Sequence, residues 1–173
     1  MDKKVIKKEV REWSKSIIVS VIIVIPIILF ASTTWVSGKS MENGLKDNDI
    51  LITEKVTSMT NKFSRGEIIV FDASPADNKN YIKRIIGIPN DVVEIKEGHV
   101  YVNGILLKEE YLKEKTYTSG ELKITVPEGK VFVLGDNREV SQDSRVIGCI
   151  SMDKVKGHPY FRIFPFSTMG KIK

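Results

Sequence analysis

Four short segments carry residue types that could do chemistry. They are Ser37-Gly-Lys-Ser-Met41, Arg65-Gly-Glu-Ile-Ile-Val-Phe71, Tyr81-Ile-Lys-Arg-Ile-Ile-Gly-Ile-Pro89 and Gly135-Asp-Asn-Arg-Glu-Val-Ser-Gln-Asp-Ser-Arg145. A serine hydroxyl is a weak nucleophile and needs a base to take its proton. No histidine falls in these segments, which argues against a Ser-His-Asp triad and leaves a serine-lysine pair as the variant to consider. Lysine acts as a base only when neutral, and near pH 7.5 neutralising a free lysine costs roughly 4 kcal/mol. An apolar setting lowers that cost by penalising the ammonium form. Lys83 has such a setting in Ile82, Ile85, Ile86 and Ile88. Strand alternation puts Lys83 on the face of Tyr81 and Ile85, opposite Arg84, so one basic residue can point inward while the other is solvated or paired. Read singly, Ser40 is a turn serine and Lys83 an edge-strand lysine. Only the joint pattern favours a site.

Other reactive residues carry less. Cys149 lies in the apolar run Val146-Ile-Gly-Cys-Ile150 and reads as a small buried side chain. A single cysteine rules out an internal disulfide framework, and no Cys/His grouping has metal-ligand spacing. His99 and His158 read as structural. Neither a metal nor a cofactor is expected.

The elements that must position these segments begin with a membrane signal. Residues 1–16 carry Lys3, Lys4, Lys7, Lys8, Arg11 and Lys15 against Asp2, Glu9 and Glu12, and Ile17 to Val36 contains no charge. Twenty helical residues rise roughly 30 Å, the hydrocarbon thickness of a bilayer. Pro26 is tolerated in such a helix, and Trp13 and Trp35 bracket the run as interfacial aromatics do. A buried core helix would show a polar face. A cleavable leader would have a shorter apolar run, although Ala31-Ser-Thr33 leaves it some room. The positive-inside rule places residues 1–16 in the cytoplasm, 17–36 across the membrane and 37–173 outside. The formal charge of +5 fits a basic flank beside a membrane as well as it fits nucleic acid, and no nucleic-acid partner is expected.

Beyond residue 36 the texture is β. Asp49–Val56, Glu67–Phe71, Tyr81–Ile88, Lys123–Val126 and Lys130–Leu134 read as strands, with Pro127-Glu-Gly129 a turn. Asn103-Gly104 between apolar runs is a two-residue hairpin signal. The expected class is mainly β, in folded-over or barrel-like sheets behind the N-terminal helix.

In this order, behind such a helix, the four segments resemble the boxes of the type I signal peptidases, in the short Gram-positive form. Gly157-His-Pro-Tyr-Phe-Arg-Ile-Phe-Pro-Phe166 with Gly170 resembles that family's ending. The resemblance implies a β-rich catalytic domain with a small β insert at about 92–130, a cell-membrane location, and removal of signal peptides from exported preproteins. It implies Ser40 as nucleophile and Lys83 as general base, with Ser141 bonding and orienting Lys83. Asp143 and Arg145 would form a supporting ion pair, and Asp136 and Asn137 would shape their turn. Substrates of the family carry small residues one and three positions before the cut.

The match departs at the nucleophile, where Asn43-Gly44 stands in place of the family's Pro-Thr. That exchange removes a φ-restricted residue and a hydroxyl, so a looser loop beside the Ser40 N–H of the oxyanion hole is expected. Glu67 replaces an aspartate, and Asn90 a glycine. Such departures suggest a divergent paralogue, and a pilus-associated assembly factor that binds pilin subunits is the alternative to an enzyme. A serine-lysine self-cleaving repressor is disfavoured by the membrane segment.

Overall fold

A computed structural model describes residues 3–172 apart from 43, 75–78, 114 and 115. It divides into two compact units, residues 1–32 and 33–173.

The first unit is helix α1 (Lys3–Phe30), with Pro26 inside it. Glu9–Phe30 is long and apolar enough to cross a membrane, with a mean hydropathy of 2.3 and none of its most apolar stretch buried in the protein. The helix ends earlier than its apolar composition implies. Ala31–Trp35 is strand β1, so the expected helix through Val36 is corrected. Thr33 and Thr34 are β-branched and suit a strand, and Thr34 Oγ1 meets Thr53 Oγ1 at 2.7 Å.

The second unit is built of strands. After β1 come β2 (Ile50–Glu54), β3 (Ile68–Ser74), β4 (Lys79–Gly87), β5 (Val92–Lys96), β6 (His99–Val102), β7 (Ile105–Leu106), β8 (Leu122–Thr125), β9 (Lys130–Leu134), β10 (Ile150–Ser151), β11 (Val155–Phe164) and β12 (Gly170–Lys171). Two short helices, α2 (Val56–Thr60) and α3 (Ser144–Ile147), join them. An eight-stranded sheet runs β1-β2-β11-β3-β4-β9-β10, with β12 against β11, and a four-stranded sheet runs β7-β6-β5-β8. The mainly β expectation holds.

Local chemistry explains much of this order. Asn103 and Gly104 both have positive φ, as a primed hairpin turn requires. Asn90 has φ 70°, a left-handed conformation that asparagine reaches more easily than most residues. The turn at Pro127–Gly129 joins no hairpin. It carries the chain from β8, paired with β5, to β9, paired with β4. Sequence reading missed β11 as a strand, because Gly157 and Pro159 interrupt it. This strand pairs with β3 through Val155 and Gly157 and then with β2 from His158 to Phe164. Gly157 stands at the changeover, where a Cβ would lie 2.1 Å from the Glu54 carbonyl oxygen.

Three apolar clusters fill the unit. One lies between the two sheets around Ile86, Val93, Phe132 and Leu134. A second gathers Val36, Met41, Leu45, Leu51, Ile68, Val70 and Ile82. A third holds Ile69, Phe71, Ile85, Val131 and Val133, with Tyr81 against it. Strand β4 contributes to all three.

Candidate active site

Ser40 sits in a loop held from both sides by buried apolar anchors, Val36 before it and Met41 and Leu45 after it. Gly38 turns the chain with φ 93°, and its N–H donates to Asp47 Oδ1 at 2.8 Å. The Leu45 N–H donates to the Met41 carbonyl. The Gly44 carbonyl accepts from Arg162 Nη2, and Arg162 Nε pairs with buried Asp49 at 3.0 Å. The loop is therefore tied down on both sides of Asn43. Asn43 itself, on which the expected looseness falls, lies outside the described residues. Sequence reading did not single out Arg162 or Asp49 as ties of this loop.

Lys83 is 3% exposed. Its Nζ donates to Ser40 Oγ at 2.6 Å and to the Ile82 carbonyl at 3.1 Å, and lies 5.2 Å from the centre of the Tyr81 ring. Burial pushes its pKa down to about 8, while the negative charges of Asp143 and Asp136 oppose that shift. Arg84, on the opposite face, is equally buried and bidentate to Asp136, at 2.9 Å and 2.8 Å. Asp136 thus anchors Arg84 as well as occupying its turn. Asn137 acts through its backbone, donating its N–H to the Ser40 carbonyl at 3.0 Å.

Asp143 and Arg145 form a bidentate pair with both contacts at 2.9 Å. Burial alone would raise the Asp143 pKa. Hydrogen bonds from Arg145 and from the Gly135 N–H outweigh it and hold the carboxyl below its usual range. Ser141 departs from the expectation. Its Oγ is buried without a hydrogen-bond partner, and Lys83 bonds to Ser40 and Ile82 instead. Sequence reading also missed Ser144, whose Oγ accepts from the Val133 N–H at 2.9 Å and fastens the 135–145 turn to β9.

A cleft of about 720 Å³ opens over the pair, with residues 33–41 on one side and Asn80–Lys83, Val140 and Gln142 on the other. Strand β9 pairs with β4 only from Arg84 onward, so the Tyr81–Lys83 stretch borders the cleft rather than a strand on that side. No group of His, Cys, Asp or Glu among the described residues could hold a metal ion.

This geometry brings together a hydroxyl, an adjacent buried amine and a cleft bordered by a strand stretch, a set suited to acyl transfer on an extended chain. Residues 10–164 match the family profile described as signal peptidase, peptidase S26. The chain is 38% identical to signal peptidase I P of Bacillus subtilis subsp. natto, over 96% of its own length and 95% of the relative's. It is 38% identical to signal peptidase IB of Staphylococcus aureus (strain COL), over 93% of each. A crystal structure of a signal peptidase I from Enterococcus faecalis V583 aligns with a TM-score of 0.49 at 34% identity, covering 56% of this chain and 96% of that one. With its ordered boxes and full-length relatives, the chain belongs to the signal peptidase family, peptidase S26.

Proposed function

We propose that the chain is a membrane-anchored serine endopeptidase that removes N-terminal signal peptides from exported preproteins, with Ser40 as nucleophile and Lys83 as general base. The observation that carries this reading is the 2.6 Å approach of Lys83 Nζ to Ser40 Oγ in a buried setting. Family membership and relatives named signal peptidase I support the reaction class. A lysine with a pKa of about 8 costs only about 0.7 kcal/mol to neutralise at pH 7.5, against roughly 4 kcal/mol for a free one.

In the proposed cycle, neutral Lys83 takes the Ser40 proton as Oγ attacks the scissile carbonyl. The Ser40 N–H stabilises the oxyanion. The Lys83 ammonium then returns its proton to the departing amine, leaving an acyl-enzyme on Oγ. Lys83 next activates the water that hydrolyses this ester. The substrate lies extended along the cleft beside the Tyr81–Lys83 stretch of β4, as strand-like recognition requires.

The lysine-rich N-terminal end forms a cytoplasmic basic tail in this reading. The span lies within Glu9–Phe30, 22 residues, embedded in membrane lipid, and the peptidase unit with its 92–130 insert lies outside. Tethering a preprotein by its own apolar segment raises the local concentration of the bond to be cut.

The test is cleavage of a secretory precursor by wild type, Ser40→Ala, Lys83→Ala and Lys83→Arg. All three variants are expected to be inactive, Lys83→Arg because a guanidinium does not deprotonate at usable pH. Wild-type processing by either alanine variant would overturn the dyad. No cleavage by wild type, together with retained binding of a pilin, would favour the assembly-factor alternative. Protease added to intact protoplasts should degrade the β-rich unit, and its protection would reverse the orientation.

A further inference from the structure

Three arginines stand behind the proposed dyad, and one segment of the insert touches all of them. Arg138 has a fully buried side chain and pairs with Glu109, its Nη1 reaching Glu109 Oε2 at 3.2 Å and also Thr118 Oγ1. Arg84 lies against the Tyr111 ring, with Cζ 4.0 Å from its centre, and the Tyr111 hydroxyl donates to Glu109 Oε1 at 2.7 Å. Arg145 reaches Ser119 Oγ at 3.2 Å. Glu109, Tyr111, Thr118 and Ser119 all belong to the connection from β7 to β8, which has no sequence period and lies outside the four boxes.

On the far side, each arginine holds part of the site. Arg138 Nε donates to the Gly135 carbonyl at 3.1 Å, and the next residues of that turn brace the Ser40 carbonyl through the Asn137 N–H. Arg84 holds Asp136. Arg145 holds Asp143 and donates to the Arg138 carbonyl at 2.7 Å. We infer that Glu109 is a positioning residue for the reaction, clamping Arg138 so that the 135–138 turn holds the Ser40 backbone in register with Lys83. The inference rests on the Ser40-Lys83 reading.

A buried ion pair is weak evidence of stability, since a well-packed apolar pair often serves as well. What it supplies here is direction. The carboxylate faces two guanidinium nitrogens and a phenol at fixed angles, and so fixes the guanidinium that holds the turn. Misplacement of a reacting group by about 1 Å can cost on the order of a hundredfold in rate. No residue of the β7-β8 connection borders the cleft, and of the clamped 135–145 segment only Val140 and Gln142 do, so substrate binding is expected largely to survive loss of the clamp.

The experiment is single-turnover cleavage of a fluorogenic peptide with small residues one and three positions before the cut. The full chain is used in detergent, in excess over peptide. The saturating rate then does not depend on how much of the enzyme is folded. Glu109→Gln and Glu109→Ala should lower that rate about ten- to a hundredfold, with half-saturation per folded enzyme nearly unchanged. Saturating rates within about twofold of wild type for both variants would overturn the proposal, whatever their melting temperatures, and leave Glu109 a purely structural residue. Ser40→Ala run alongside separates the two failures. If it cleaves as wild type does, the dyad assignment falls and the clamp falls with it. If it is inactive while both Glu109 variants are wild-type, only the clamp falls.

Discussion

Gly135 stands so close to Ser40 that a Cβ at position 135 would lie 2.5 Å from the Ser40 carbonyl oxygen and 2.2 Å from Ser141 Oγ. No flexible side-chain end can yield on the Ser40 side, because the obstacle is backbone. Gly135→Ala should therefore displace the nucleophile loop or the turn, with a stability cost of about 1–3 kcal/mol and a larger proportional loss of rate. Thermal melting and precursor cleavage on the same preparation check this. Unchanged cleavage would mean that the loop and the turn move independently.

A pKa of about 8 for Lys83 predicts how the rate depends on pH. Below that value kcat/KM should rise about tenfold per pH unit, and above it level off. Asp143 and Asp136 both raise the Lys83 pKa, so Asp143→Asn should move the midpoint downward, even as loss of its pair with Arg145 weakens the fold. A midpoint near 10.5, the ordinary lysine value, would show that burial does not tune this residue.

The same shift links stability to pH. The unfolded chain keeps the Lys83 proton up to about pH 10.5, and the folded chain releases it near 8. Folding thus carries a penalty from this group at pH 7 that is relieved as pH rises through that window. Lys83→Met should be more stable than wild type at pH 7, by on the order of 2–3 kcal/mol. The advantage should fade by about pH 10.5. Denaturant unfolding across the alkaline range measures it, and a pH-independent difference would contradict the linkage.

At the nucleophile loop, a Cβ on Gly44 would lie 3.5 Å from Asp136 Oδ2, an ordinary contact, and the Gly44 carbonyl is already held by Arg162. Gly44→Thr should be accepted within about 0.5 kcal/mol and leave cleavage of a generic precursor nearly unchanged. Arg162→Met should lower it, by releasing both Gly44 and Asp49. A strong rise in cleavage from Gly44→Thr would mean that the wild-type loop is loose after all.

What the sequence disclosed depended on pattern more than on distance along the chain. Ser40 and Lys83 stood out only jointly, and their approach across 43 positions, like the Asp143-Arg145 pair, was expected from the family resemblance. The hairpin at Asn103-Gly104 and most strands were legible from period and turn chemistry. The partner of Asp136 was not, since Arg84 lies 52 positions away. The resemblance implies that Ser141 orients Lys83, but only the fold decides what a buried hydroxyl faces. The helix end at Phe30 was hidden because an apolar run ending in Ser-Thr-Thr-Trp suits helix and strand alike. Strand β11 was hidden by the Gly157 and Pro159 that interrupt its sequence.

That strand has a consequence for the order of synthesis. Arg162 reaches Gly44 across 118 positions, and β11 lies between β2 and β3 in the sheet that frames the nucleophile loop. A chain halted before Val155 lacks both the strand and the arginine. The hydroxyl and the amine are thus translated well before the arginine that locks the loop around the first. A nascent chain emerging beside other newly made proteins therefore carries the proposed dyad with its serine loop unlocked until the strand that bears Arg162 has been made.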